Sequence, residues 1–192
     1  MKCLEGLIVD SKIKKRRQIK FDEESGLILE MGDLKIPREK IDYYFDDNCL
    51  VFAGMGDIHV HAREDVSQKQ IYKEDFLTAS QAAINGGVTH ICDMPNNPIP
   101  PVDDKTYADK LKLTKNGLVP IILYAGIGPN TKPLSQMVPY KVFIGPSIGD
   151  LFFRSNEELD NVLKFYKGSH VSFHCEDPEI LEQKKAEGSH LK

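Results

Sequence analysis

His59 and His61 stand one residue apart in Asp57-Ile58-His59-Val60-His61-Ala62-Arg63. On an extended strand, positions i and i+2 share a face, so both imidazoles can reach one metal ion while Ile58 and Val60 pack on the other side. Neutral imidazole is a good zinc ligand. Elsewhere such a pair is more often a surface or hydrogen-bonded feature. Here the run Cys49-Leu50-Val51-Phe52-Ala53-Gly54-Met55-Gly56 leads into it, a buried-strand pattern with glycines that bring the chain into a tight site, and Asp57 precedes the first histidine by two residues. The pair reads as half of a metal site.

Three further segments follow in order: Asp93-Met94-Pro95-Asn96, Lys141-Val142-Phe143-Ile144-Gly145 and Phe173-His174-Cys175-Glu176-Asp177. With Gly54 to Arg63 they resemble the dihydroorotases of the amidohydrolase superfamily, whose motifs are D-x-H-x-H followed by arginine, M-P-N, K-x-F-x-G and H-C-E-D. The resemblance runs from about Gly54 to about Glu182 and implies roles by position. His59 and His61 would bind one of two zinc ions, Lys141 would be a carbamylated lysine bridging them, and His174 would bind the second. Arg63 and Asn96 would hold the substrate carboxylate. These residue types suit those roles. An ammonium cannot coordinate, so lysine must first react with carbon dioxide as a neutral amine, and arginine's planar fork matches a carboxylate bidentately. Read from the residues alone, Lys141 is equally a lysine at the start of an apolar strand, and Asn96 a turn residue beside Pro95 and Pro98.

The implied reaction is reversible hydrolysis of dihydroorotate to N-carbamoyl-aspartate in pyrimidine synthesis. Arg63 with Asn96 favours this acidic substrate over those of the related hydantoinases and allantoinases. Two rivals stand beside it: a hydantoinase- or allantoinase-like cyclic amidase, and a non-catalytic dihydroorotase-like structural partner of aspartate transcarbamoylase. The family also uses a histidine on a sixth strand and a proton-transferring aspartate after the eighth, and no residue after Asp177 sits in a matching motif. The expectation is therefore an N-terminal portion of a longer enzyme, inactive alone, acting as a homo-oligomer or with a complementing C-terminal fragment.

The elements that must position these groups are read from periodicity. Residues 1–52 alternate short apolar stretches with polar turns, the pattern of a small antiparallel β unit; by resemblance it is the N-terminal β-sandwich segment of a composite domain. From residue 53 to 192 strands alternate with helices. Strands are predicted at 51–61, 88–93, 118–125, 141–145 and 170–175, and helices at 73–85, 103–116, 134–137 and 156–166. Asn85-Gly86-Gly87 and Asn116-Gly117 read as C-caps, and Ser155 or Asn156 as an N-cap. The fold class is α/β, a (β/α)8 TIM barrel of the metal-dependent hydrolase type with about the first five strands present. In such a barrel functional residues gather at the C-terminal strand ends. Lys141 is the exception, since it opens its strand. A half-barrel of five strands would expose a sheet edge and an apolar interior.

Composition narrows the classes further. The 192 residues are 41% hydrophobic and 28% charged with a net charge of -4, ordinary for a globular protein and contrary to the basic stripe of a nucleic-acid binder. The basic cluster Lys12, Lys14, Lys15, Arg16 and Arg17 reads as a solvated turn. No apolar run reaches a membrane span of about 18 residues, and the N-terminus lacks a signal-peptide layout, so a cytoplasmic protein is expected. Cys3, Cys49, Cys92 and Cys175 form no C-x-x-C pair and read as reduced small hydrophobes. His90 reads as a core or interface histidine, His170 as the start of a strand and His190 as part of a polar tail. Gly126-Ile127-Gly128 and Gly145-Pro146-Ser147-Ile148-Gly149 match neither a dinucleotide fingerprint nor a P-loop, so no nucleotide cofactor is expected.

Overall fold

The computed structural model describes residues 1–145 and 151–188; His190 and most of the Gly145–Gly149 segment lie outside them. The chain divides into two compact units, Met1–Gly54 and a second beginning at Met55.

In the first unit β1 (Lys2–Asp10) and β2 (Ile13–Phe21) form a hairpin in register from Lys2↔Phe21 to Asp10↔Ile13, closed by the two-residue turn Ser11-Lys12. β3 (Ile28–Gly32) returns antiparallel along β2 after a turn in which Ser25 Oγ donates to Asp22 Oδ2 at 2.6 Å and Gly26 takes φ +70°. Glycine adopts that left-handed conformation without the clash a Cβ would bring. β4 (Tyr43–Tyr44) and β5 (Leu50–Phe52) then pair with β1 in parallel, so the five-stranded sheet is mixed rather than antiparallel. The connections after β3 cross over instead of turning back. The basic cluster also departs from expectation. Only Lys12 lies in the turn, while Lys14 to Arg17 run along β2, where Arg16 meets Glu5 at 3.1 Å and Asp47 at 2.7 Å.

The second unit alternates strand and helix: β6 (Met55–Val60), α1 (Phe76–Asn85), β7 (Val88–Asp93), α2 (Asp104–Leu113), β8 (Ile121–Leu123), β9 (Ala125–Ile127), β10 (Tyr140–Ile144), α3 (Asn156–Leu163), β11 (Val171–Cys175) and α4 (Pro178–Ala186). All its strand pairs are parallel, in the orders β6-β7-β8 and β9-β10-β11. The run Ile121–Ile127 serves both sheets. Before Tyr124 it pairs with β7, after it with β10; Tyr124 N–H donates to Asp93 O at 3.0 Å and Ala125 N–H to Pro139 O at 2.9 Å.

The helices start where short polar side chains replace missing backbone partners. Asp75 and Asp103 each accept from the N–H of a threonine three residues on and receive its hydroxyl in return, closing capping boxes on α1 and α2. Ser155 caps α3 by accepting from Glu158 N–H, and Asp177 caps α4, a helix that the charged composition after Asp177 had concealed. Gly87 closes α1 at φ +76°, whereas Gly117 is extended and no cap of that kind. No helix forms at 134–137. Pro133 and Pro139 flank the segment, and Leu134 N–H is held by the Tyr140 hydroxyl at 2.9 Å.

The core of this unit lies between helices and strands, with Ala62, Phe76, Leu123, Ala125, Ile127 and Val142 fully buried. Each large apolar side chain so buried contributes about 1.5–3 kcal/mol. The outermost strands are less covered, with Ile58 on β6 68% exposed and Phe173 on β11 42%.

Candidate functional site

His59 lies within β6 and His61 one residue beyond its end, so the two imidazoles leave one strand end together, ring centroids 5.3 Å apart. β7 delivers the second set. Met94 N–H bonds Val60 O at 2.8 Å and directs the Met94-Pro95-Asn96-Asn97 loop toward the histidines, where Asn96 Oδ1 lies 2.7 Å from His61 Nδ1. A carbonyl oxygen only accepts, so Nδ1 carries the proton and the His61 Nε2 lone pair is left for a ligand. Burial pushes the pKa of both rings down; the nearness of Lys141 and of His174 lowers His59 further, and that of Arg63 lowers His61. Both are held in the neutral form a metal requires.

Lys141 is the second residue of β10, near its start, in register with Gly126 and Ser172. It is 1% exposed, and among the described residues no carboxylate is paired with it; its ammonium lies 5.3 Å from the Phe143 ring centre. Burial lowers its pKa. His174 lies on β11 beside Phe143, ring centroids 6.2 Å apart, with Nε2 2.9 Å from Glu176 Oε2. Cys175, next along the strand, is exposed.

Arg63 has the most constrained backbone of the set. Glu64 N–H donates to Ala62 O at 2.8 Å across it, the i→i+2 bond of a γ-turn, and its φ of +60° gives the rare strained form of that turn. Neighbours hold the strain. Ala62 N–H is bound by Asp93 Oδ1 at 2.8 Å, Glu64 Oε2 accepts the first N–H of α1 at Phe76, and Asp65 Oδ2 accepts from Ile99 N–H. Arg63 Nη1 is buried with no hydrogen-bond partner. Strain of this kind persists at sites whose surroundings over-determine it.

The structure thus brings His59, His61, Arg63 and Asn96 together at the adjacent ends of β6 and β7, and places Lys141 and His174 on neighbouring strands whose charges reach His59. Among the described residues no three His, Cys, Asp or Glu side chains are grouped as a metal would need. The donor set nevertheless fits one on its chemistry: two neutral imidazoles and a buried amine without a counter-ion, which gains a carboxylate only by carbamylation. A concavity of about 360 Å³ lined by Pro129, Asn130, Phe152, Arg154 and Glu158 contains none of these groups.

Residue patterns missed several members. Glu64 and Asp65 are buried carboxylates that pin the Arg63 turn, and Asp93, Asn97 and Lys110 form a buried polar cluster beneath it. Two acids directly after a functional arginine, in a segment opening a helix, were the available signal for the first pair. Lys110 carried none, being one more lysine of a polar helix.

Comparisons with known proteins concern the chain as a whole. No family model matches the chain. It is 30% identical over 165 residues to the dihydroorotase of Thermococcus kodakarensis, covering 83% of this chain and 38% of that protein. It is 31% identical over 138 residues to the dihydroorotase of Pyrococcus furiosus, covering 72% of this chain and 31% of that one. It therefore spans about a third of the length of the curated relatives it matches. Among solved structures, the L-hydantoinase (dihydropyrimidinase) of Arthrobacter aurescens superimposes with a TM-score of 0.76 at 21% identity, over 97% of this chain and 44% of that one. A D-hydantoinase (dihydropyrimidinase) from Thermus sp. gives 0.69 at 19%, over 97% and 43%. The chain is a sequence relative of the dihydroorotases, folded as the hydantoinases of the amidohydrolase superfamily are.

Proposed function

We propose that this chain carries the metal-binding and substrate-orienting strands of a cytoplasmic dihydroorotase, a cyclic amide hydrolase that reversibly converts dihydroorotate to N-carbamoyl-aspartate in pyrimidine synthesis, within a closed (β/α)8 barrel. The observation that carries the reading is Arg63: a half-buried side chain in a strained turn two residues from His61, its Nη1 buried without a hydrogen-bond partner among the described residues, with Asn96 bonded to His61 alongside. A neutral hydantoin ring offers such a cation only carbonyl oxygens, while a carboxylate satisfies it bidentately with an opposite charge.

His59 and His61 would hold one metal ion through their imidazole nitrogens, and His174 would hold a second. Lys141, whose ammonium is destabilised by burial, would take up carbon dioxide at Nζ as the neutral amine; an N–C bond forms, a proton leaves, and the resulting carbamate would supply anionic oxygen donors to the metal site. Zinc ions bound there would supply Lewis-acid polarisation and an ionised water nucleophile near neutral pH. Arg63 and the Nδ2 of Asn96 grip the substrate carboxylate outside the reacting amide, which aligns the ring and lowers the entropic part of the barrier. Proton transfer to the leaving nitrogen is assigned to no residue of this chain.

The test is calorimetric titration of the zinc-loaded full chain with dihydroorotate and with hydantoin, repeated on Arg63→Ala. Dihydroorotate should bind more tightly, and the substitution should weaken it roughly tenfold or more without affecting hydantoin. Equal binding of the two rings, or indifference to Arg63→Ala, would sink the reading.

A further inference from the structure

Lys110 is 1% exposed, on a helix that supplies no other group to the site. Its Nζ lies 2.6 Å from Asp93 Oδ2 and donates to Asn97 Oδ1 at 2.5 Å. Each partner leads to a different loop. Asp93 uses its other oxygen, Oδ1, to hold Ala62 N–H at 2.8 Å, immediately before the strained turn at Arg63. Asn97 follows Asn96, whose Oδ1 engages His61. One ammonium therefore ties together the loops after β6 and β7 from beneath.

Stability alone does not account for this pair. A buried ion pair loses much of its Coulomb attraction to desolvation, and apolar residues of equal volume often hold such a position as well or better. The Phe76 ring, centred 5.9 Å from the ammonium and fully buried, shows how apolar the surroundings are. Apolar replacements would hold α2 against the sheet, but could neither accept the Ala62 N–H nor grip Asn97.

We infer that Lys110 is a positioning residue: through Asp93 and Asn97 it fixes the Arg63 turn and the Asn96 loop in the relative placement that recognition of a substrate carboxylate requires. What the two loops bind rests on the dihydroorotase reading; that Lys110 anchors them does not.

The test uses the full chain with Lys110→Met, which keeps the stem and removes the cation, and with the charge-neutral pair Asp93→Asn/Lys110→Met, which keeps an acceptor for Ala62 without an unpaired buried charge. Amide hydrogen exchange reads the anchoring, and calorimetric binding of dihydroorotate to the zinc-loaded protein reads its consequence. In Lys110→Met, protection should fall at Ala62 and Glu64 and persist at Leu123 and Val142, and at saturating zinc dihydroorotate should bind roughly 100-fold more weakly. The double variant should regain stability without regaining affinity, because an asparagine at 93 with no cation beside it is free to turn. A folded Lys110→Met with native protection at Ala62 overturns the inference, as does a double variant with wild-type affinity. If both variants fail to fold, the pair is a requirement of the whole unit and the local role is rejected. If wild type itself does not bind dihydroorotate, the substrate reading fails while the exchange data still decide the anchoring.

Discussion

His61 Nδ1 and Asn96 Oδ1 lie 2.7 Å apart, 35 residues apart in the chain. The contact gives Asn96 two tasks. Its carbonyl fixes the tautomer of a candidate metal ligand, and its amide nitrogen remains for a substrate.

Two substitutions should separate these tasks. Asn96→Leu removes the acceptor, so His61 loses tautomer control and zinc affinity should fall about 10- to 100-fold, the usual loss when a ligand's outer partner is removed. Asn96→Asp keeps an acceptor and should retain zinc, yet it sets a negative charge beside the substrate carboxylate and should weaken dihydroorotate binding. Zinc retained after dialysis against a competing chelator measures the first effect, and calorimetry the second. Full zinc retention in Asn96→Leu would show that the contact does not orient a ligand.

Arg63 should show function set against stability. A left-handed conformation costs a non-glycine residue about 1–2 kcal/mol, whereas glycine's extra freedom in the unfolded chain returns roughly 0.5–1 kcal/mol of that. Arg63→Gly is therefore expected to raise the unfolding free energy by a net amount on the order of 0.5–1 kcal/mol, read as a higher urea midpoint, while losing dihydroorotate binding. Arg63→Ala loses binding too but keeps the strain. A less stable Arg63→Gly would mean that the arginine side chain, not its neighbours, holds the turn.

Glu64 carries a pH dependence whose sign is fixed by its burial. The carboxyl is 5% exposed, and desolvation, offset in part by the Phe76 N–H and reinforced by Asp75, raises its pKa above the ordinary 4.5. A raised folded pKa means that the native state holds its proton more tightly than the unfolded chain. That contribution is complete below pH 4.5 and is lost as pH rises through the folded value. Glu64→Gln keeps an acceptor for Phe76 N–H and stays neutral throughout. Its stability relative to wild type should therefore be flat at acid pH and climb as pH rises from 4.5, leaving the variant more stable at neutral pH. Urea unfolding across that range measures it, and a constant difference at every pH would contradict the linkage.

The local parts of this site were legible in the sequence and the long-range parts were not. His59-Val60-His61 was visible because strand alternation sets both rings on one face, and Arg63 and Asn96 because they stand in short motifs that resemble those of the dihydroorotases. Lys110 was invisible because a lysine in the polar helix Asp104–Leu113 looks solvated until tertiary packing turns it toward Asp93. The γ-turn at Arg63 depends likewise on Asp93, 30 positions away. The missing helix at 134–137 and the crossover pairing of β4 and β5 share that cause: a segment's partners, not its own composition, decided its state. α4 was overlooked for a local reason, since its charged residues hid the Asp177 cap.

Lys141 yields the last prediction, because its modification can be read without turnover. Its position near the start of β10 is far from where a barrel usually places chemistry, but its 1% exposure, lowered pKa and lack of an anionic partner among the described residues are what a carbamate-forming amine needs. Carbamylation consumes a neutral amine and carbon dioxide and yields an anion that only a cation nearby can stabilise, so zinc and bicarbonate should act together. With ¹³C-bicarbonate and zinc, a carbamate resonance should appear in the ¹³C spectrum of wild type and be absent from Lys141→Ala; chelation should diminish it. Lys141→Glu, which supplies a carboxylate directly, should bind zinc without bicarbonate. A carbamate signal that survives Lys141→Ala, or zinc binding by wild type that ignores bicarbonate, would remove Lys141 from the ligand set and leave the metal to the histidines alone.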